Sequence, residues 1–152
     1  MKSFSEAKYN LFERIGNSSK MVLATSVNNM VSARTVSVLT INGRFYFQTD
    51  KNMDKAREIL TNPSVALCLK EVQIKGICRE IGHPNNKDNH FFVEIFQECF
   101  PSAYKKYSHL ENETVFEIEP LLAKIWQYID DCQCIEFIDF TTEEYRCEHY
   151  HI

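Results

Sequence analysis

The chain has 152 residues, of which 44% are hydrophobic and 25% charged, and a formal net charge of −4. That length suits one domain, residues 1–152, with enough chain to bury a core, and the composition is that of an ordinary globular protein. The acidic balance argues against a non-specific nucleic-acid binder, which would carry a basic surface. No apolar run reaches the length of a membrane span, and the N-terminal stretch lacks a signal-peptide core, so a cytoplasmic location with no membrane partner is expected.

In chain order, Ser3 or Ser5 caps a first helix that runs to about Ile15. Ser3 with Glu6 matches a capping box, and Phe4, Ala7, Leu11 and Ile15 form an apolar stripe. Gly16-Asn17 ends it. Met21–Val27 reads as a strand, Asn28-Asn29 as a turn that tolerates positive φ, and Met30–Ile41 and Arg44–Thr49 as the two arms of a hairpin. Asn42-Gly43 between them is the strongest short signal for a two-residue type I′ turn. Asn52 is the expected N-cap of a short helix, in which Met53, Ala56, Ile59 and Leu60 recur at helical spacing. Asn62-Pro63 breaks the chain, and two strands follow, Val65–Leu69 and Gln73–Ile81. Gly76 inside the second points to a bulge or to a close approach by ligand or backbone. A helix is expected from Asn86 to about Cys99, with a further turn near Ala103–Tyr107. Strands are expected at Thr114–Glu119, with Phe116 and Ile118 inward, at Lys124–Ile129 and at Cys134–Phe140. Short strands at regular intervals suit a small antiparallel barrel with peripheral helices, since closure removes exposed edges.

The hairpin register follows from its turn. Ile41 faces Arg44, Val38 faces Phe47, Val36 faces Thr49 and Arg34 faces Lys51. Side chains alternate along each strand, so one face carries Arg34, Val36, Val38, Thr40, Phe45, Phe47 and Thr49, with Lys51 at its end. The other face carries Thr35, Ser37, Leu39, Ile41, Tyr46 and Gln48. Lys55 lies in the first turn of the next helix, where a cation opposes the helix dipole and a bound anion would relieve it. Arg34, Thr49, Lys51 and Lys55 thus converge on one expected phosphate site. The alternative is an exposed hairpin with solvated charges, and a slip of one residue would put Arg34 on the opposite face.

Six cysteines, at 68, 78, 99, 132, 134 and 147, raise disulfide and metal readings. A cytosolic chain keeps thiols reduced, and Cys68 and Cys78 sit in strand-like runs as small apolar fillers. Cys132, Cys134 and Cys147 with His149 and His151 form the one plausible metal cluster, but a single residue between paired cysteines fits zinc poorly; no metal site is expected. His83 falls at a turn, either beside a ligand pocket or simply at the surface. No nucleophile elbow, phosphate P-loop or trusted pair of catalytic carboxylates is present.

Four pieces in order resemble the pyridoxamine 5′-phosphate oxidase-like family, the FMN-binding split barrels: a leading strand MVLATSV, the strand Arg34-Thr35-Val36, the aromatic strand FYFQT, and the Lys55 that opens KAREI. The likeness covers residues 20–82 well and the remainder loosely. It implies a split barrel and an FMN site in which Arg34, Thr49 and Lys55 hold the phosphate. Thr35 and Val36 would reach the ring through their backbone, Gln48 would lie beside Thr49, and Gln73 is a candidate ring contact. Lys51 or Asn52 would substitute for the arginine that the true oxidases carry where this chain has Asp54. Leu39 stands where those enzymes place a lysine for the substrate phosphate, and their C-terminal Arg- and Trp-rich signature is absent. The flavin site without the vitamin site is therefore expected, as in short bacterial relatives of the general-stress and nitroimidazole-resistance type.

The resemblance further implies a homodimer with flavin at its interface. Trp126 and Tyr128 would complete the partner's site, or Trp126 is ordinary core. A flavin supplies the redox chemistry itself, so electrons would pass from a reduced nicotinamide or similar donor through FMN to a small organic acceptor. A non-catalytic flavin-binding sensor or carrier, a nitroimidazole-reductase-like resistance protein, and a ligand-free barrel acting by protein contacts are the alternatives.

Overall fold

The computed structural model of the chain describes residues 2–150. Their order is α1 (Phe4–Ile15), β1 (Ser18–Val27), β2 (Met30–Ile41), β3 (Arg44–Asp50), α2 (Asp54–Thr61), β4 (Ser64–Leu69), β5 (Val72–Gly82), α3 (His90–Cys99), α4 (Pro101–Tyr107), β6 (Glu113–Ile129), β7 (Cys132–Asp139) and β8 (Glu144–His149). Strands lie side by side as β3-β2-β1-β4-β5-β6, and β6 pairs back onto β3, so six antiparallel strands close a barrel. From β6 the sheet continues outward through β7 and β8. This is a split β-barrel, mainly β with peripheral helices.

The turns are written into the sequence. Asn42 and Gly43 have φ of 50° and 76°, the paired positive values of a type I′ turn, and Asn28 and Asn29, at 51° and 64°, repeat the device one hairpin earlier. Leu39 pairs with Tyr46, Thr40 with Phe45 and Ile41 with Arg44, which is the expected register. The ladder ends there, because β3 peels away to pair with β6 from Phe45 to Asp50. Barrel closure thus replaces the expected pairs Val38–Phe47, Val36–Thr49 and Arg34–Lys51.

The faces nonetheless follow the alternation. Val36, Val38, Phe45 and Phe47 point into the main core with Met21, Leu23, Phe116 and Ile118. Ala7, Leu11 and Ile15 of α1 and Ala56 and Ile59 of α2 join the same core. Leu39, Tyr46 and Val115 face the other way, under Phe92 and Phe96 of α3. At the start of α1 the Ser3 hydroxyl accepts from the Glu6 amide at 3.1 Å, the cap expected from that pair.

Three elements depart from expectation. Helix α2 begins after Met53, which is its N-cap and gives no side-chain cap. Asn52 instead donates its amide to the Asp50 carboxylate at 2.8 Å, an Asx turn that delays the helix by a residue. Residues 113–129 form one long strand rather than two. Pro120 is tolerated because the register of β5 against β6 shifts between Lys75 and Gly76, opposite that proline, and bulges are where sheets accept proline. Strand β8 lies beyond the strands expected from the sequence; its polar run Glu144–His149 gains its order from pairing with β7.

Gly76 marks a close backbone approach. A Cβ there would lie 2.6 Å from the Glu119 carbonyl oxygen and 2.8 Å from Ile118 Cγ2. Overpacking of this kind forces backbone shifts, and Gly76→Ala is expected to cost about 1–2 kcal/mol, read as a lowered midpoint in thermal or urea unfolding.

Among the described residues no helix covers the outer face of β2, β1, β4 and β5. Across β2, β1 and β4 the row Ala33–Ala24–Ala66 runs level with Lys75 of β5, and beside it lies Thr35–Val22–Cys68–Gln73. Val31, which is 74% exposed, and Ile77 flank these rows. No helix among the described residues is long and apolar enough to cross a membrane.

Candidate functional site

Helix α2 lies against β1 and β5, and Asn62 just beyond it donates to the Ser26 carbonyl at 2.8 Å, pinning the helix to the end of β1. The apolar side of α2, Ala56 and Ile59, enters the core. Lys55 and Glu58, three residues apart on one side of the helix, are left half-buried at the barrel mouth.

Arg34 meets them there. Its Nη1 donates to Thr25 Oγ1 at 2.9 Å and to the Leu23 carbonyl at 3.2 Å, and its Nη2 donates to Glu58 Oε1 at 3.0 Å. The Thr25 hydroxyl also donates to Glu58 Oε1 at 3.0 Å, and Ser32 donates to Oε2 at 3.4 Å. Thr25 and Ser32 are opposite each other on β1 and β2, so the hairpin itself builds this cradle. Lys55 is close enough to Arg34 to feel its charge. Burial first, and then the Arg34 guanidinium, pull the Lys55 ammonium below its ordinary pKa, and Glu113 partly offsets them.

Glu113, at the start of β6, is 6% exposed. Gln48 Nε2 donates to its Oε2 at 2.7 Å, and the Ser108 hydroxyl donates to Gln48 Oε1 at 2.9 Å. Burial raises the Glu113 carboxyl to about 7; the Gln48 hydrogen bond opposes the rise, Asp50 adds to it and Lys55 counters it.

The structure therefore brings Arg34 and Lys55 to one place, with Thr49 buried on the inner side of the adjoining β3. Gln48 points to the opposite side of β3 from Thr49 and reaches the cluster only through Glu113. Val36 is buried beside Arg34 on β2, and Thr35 is exposed on the outer face. Gln73 shares that outer face but sits three strands away, roughly 14 Å at the usual strand spacing, and is not part of the cluster. Lys51 and Asn52 are exposed on the connection to α2, and the Lys51 amide donates to the Asn112 carbonyl at 2.8 Å. Because the ladder ends before residue 47, the register does not set Lys51 against Arg34.

Sequence reasoning missed Thr25, Glu58 and Glu113. The spacing of Glu58 from Lys55 was a usable signal, since side chains three apart on a helix are neighbours. Glu113 gave none, because only the β3–β6 closure puts it beside Gln48.

Elsewhere, His83 accepts from the Asn85 amide on Nδ1 at 3.0 Å and donates from Nε2 to the Leu110 carbonyl at 2.8 Å. It ties its turn to the segment before β6. Trp126 is not core. It is half-buried, packs edge-to-face on Tyr150 at 5.7 Å, and lines an open pocket of about 500 Å³ with Arg14, Glu71, Gln127, Tyr128 and Gln133. The six cysteines are free thiols; Cys78 is buried in the core, where burial, followed by Glu117, pushes its thiol up to about 12. Cys134 Sγ lies 3.2 Å from His149 Nδ1. Among the described residues no group of three or more His, Cys, Asp or Glu is placed to hold a metal ion, and His151 lies outside those residues.

Comparison with known proteins agrees with this architecture. A pyridoxamine 5′-phosphate oxidase-related, FMN binding protein from Nostoc punctiforme PCC 73102 superposes with a TM-score of 0.62 at 14% identity, over 88% of this chain and 87% of that one. General Stress Protein 26 from Bacillus anthracis gives 0.61 at 16% identity over 77% and 91%. A NimC/NimA family protein from Clostridium acetobutylicum gives 0.57 at 16% identity over 97% and 94%. At these identities the likeness is one of fold. No curated protein matches the chain significantly. The family model described as Pyridoxamine 5′-phosphate oxidase matches residues 9–127, a span that holds the barrel, Arg34, Lys55 and Glu113, and on this match the chain belongs to that family.

Proposed function

We propose that the protein binds FMN by its phosphate at the barrel mouth and works as a flavin-dependent oxidoreductase. The observation that carries this reading is the meeting of Arg34 and Lys55. One comes from the β2 strand and the other from the first turn of α2, and only the folded barrel makes them neighbours. A charge-assisted clamp of this kind favours phosphate oxygens. The Glu58 carboxylate held by Arg34 already shows that the guanidinium takes an anionic oxygen in this cradle. Family membership and the FMN-binding relative support flavin over other phosphate esters.

In this reading Arg34 and Lys55 bind the phosphate, and Thr49 lines the inner wall. The β2 backbone at Thr35 and Val36 orients the ring. When bound, FMN supplies hydride and single-electron chemistry; the donor is a reduced nicotinamide or similar compound and the acceptor a small organic molecule. Leu39 lies under α3 in the second core cluster, which leaves no cation there for a substrate phosphate and favours an acceptor other than pyridoxamine phosphate.

The working unit is a homodimer. The outer face of β2, β1, β4 and β5, with its alanine rows and exposed Val31, carries side chains small enough for a second copy to approach closely. Exposed apolar sheet of that kind is normally covered. Dimer formation over this face brings Thr35 and Gln73 into the interface.

The test is spectroscopic. Protein purified as expressed should be yellow, should bleach on addition of NADH or NADPH, and should recover its colour with a nitroaromatic acceptor. Ligand-free protein should bind FMN at least about tenfold more tightly than riboflavin, the value of one charge-assisted phosphate contact. Equal affinity for the two would refute the phosphate clamp, and colourless protein indifferent to FMN would refute the flavin reading.

A further inference from the structure

The Arg34 cradle is already filled from within. Three of the five guanidinium N–H groups are committed to Leu23, Thr25 and Glu58. Glu58 in turn receives Arg34, Thr25 and Ser32, which satisfies both of its oxygens. The two side chains are nonetheless 24% and 22% exposed, so the pair is reachable from solvent at the barrel mouth. Glu58 is one helical turn from Lys55, so any phosphate that touches Lys55 and Arg34 together comes within a few ångströms of that carboxylate. The cradle holds two cations, Arg34 and Lys55, against one carboxylate, Glu58, with the raised Glu113 carboxyl lying beyond Lys55. One of the two cations is thus already paired before any phosphate docks.

We propose that Glu58 is a resident competitor for Arg34, holding the clamp closed against anions and yielding the guanidinium when a phosphate docks. The cradle then discriminates by charge. A weakly charged or singly bonded anion does not displace a carboxylate held by three donors. A phosphate monoester that engages Arg34 and Lys55 at once does. Thr25 can follow the exchange, since its hydroxyl both accepts from Arg34 and donates to whichever oxygen faces it. This inference rests on the reading that a phosphate docks here, and it adds the residue that sets how tightly.

The experiment compares ligand-free, full-length wild type with Glu58→Gln by calorimetric titration of inorganic phosphate, FMN and riboflavin. Glutamine keeps the size and one acceptor and removes the charge. Inorganic phosphate and FMN are expected to bind about tenfold more tightly to Glu58→Gln, the lower end for one hydrogen bond to a charged group, with riboflavin unchanged. Unchanged or weaker phosphate and FMN binding would overturn the proposal and leave Glu58 as a strap between α2 and the sheet. Tight FMN binding that is equal in both proteins would overturn it while sustaining the flavin reading. Tighter inorganic phosphate in the variant, with FMN bound by neither protein, would sustain it while the flavin reading fails. Should Glu58→Gln not fold, Ser32→Ala frees only the second carboxylate oxygen and is expected to shift phosphate affinity upward by about twofold; no shift there would overturn the proposal as well.

Discussion

Replacing Glu117 by alanine is expected to lower the stability of the fold by about 3 kcal/mol, between the range for an unpaired buried group and that for a broken buried ion pair. Glu117 is 7% exposed on β6. It accepts from the Tyr46 hydroxyl at 2.7 Å, from Arg44 Nη1 at 2.9 Å, and from Arg79 Nη2 and Nε at 2.7 and 2.8 Å. Alanine would strand the buried Tyr46 hydroxyl and leave two guanidinium groups facing each other. Arg79 is 68% exposed and its share is solvated, which keeps the figure below the top of the range. For a chain of this size the midpoint should fall by about 6–12 °C. Burial alone would raise the Glu117 carboxyl, but the Tyr46 hydrogen bond, Arg79 and Arg44 together hold it below its ordinary value. A depressed carboxylate stabilises the fold fully above the unfolded value of about 4.3 and loses that contribution as pH falls through the folded value. The gap between wild type and Glu117→Gln should therefore be widest near neutrality and close in acid. A gap that stays constant down to low pH would contradict the assignment.

How far the sequence reached can be judged residue by residue. Asn42-Gly43 dictated its turn, and with it the register at Ile41–Arg44 and the inward set Val36, Val38, Phe45 and Phe47, because turn type and side-chain alternation are local rules. The same logic failed for Arg34 and Lys51, since where β3 leaves β2 is decided by a strand that begins more than sixty residues later. Pro120 looked like a break between two strands; the shifted register opposite it, beside Gly76, lets one strand pass through. The nearness of Arg34 and Lys55 was readable from the sequence, since the two cations follow a recognisable order along the chain. The anions beside them were not: Glu58 looks like a solvated helix carboxylate until α2 is seated against Thr25 and Ser32. Glu113 looks like the polar start of an amphipathic strand until barrel closure buries it beside Gln48 and Lys55.

That buried carboxylate gives the site a pH dependence of definite sign. Asp50 and Gln48 on β3 and Lys55 on α2 face Glu113, with Ser108 behind Gln48. Burial first, then Asp50, raise its carboxyl to about 7 against the pull of Gln48 and Lys55. A raised acid stabilises the folded chain fully below the unfolded value of about 4.3, and that contribution is lost as pH climbs through 7. Glu113→Gln should hence be more stable than wild type at pH 8, by about 3–4 kcal/mol at roughly 1.36 kcal/mol per pKa unit, with the difference shrinking toward acid. Binding follows the same proton. A phosphate at Lys55 repels a charged Glu113 and tolerates a neutral one, so docking takes up a proton when the pH lies above 7. FMN affinity is then expected to fall by up to about fivefold from pH 7 to pH 8, the most that one proton leaving a group near 7 allows, while riboflavin affinity stays level. In Glu113→Gln the FMN profile should be flat over that interval, and calorimetry in buffers of different ionisation enthalpy should register proton uptake in wild type only. A wild-type profile as flat as the variant's would mean that Glu113 keeps its charge state when the clamp fills, and that Lys55 rather than Glu113 absorbs the added negative charge.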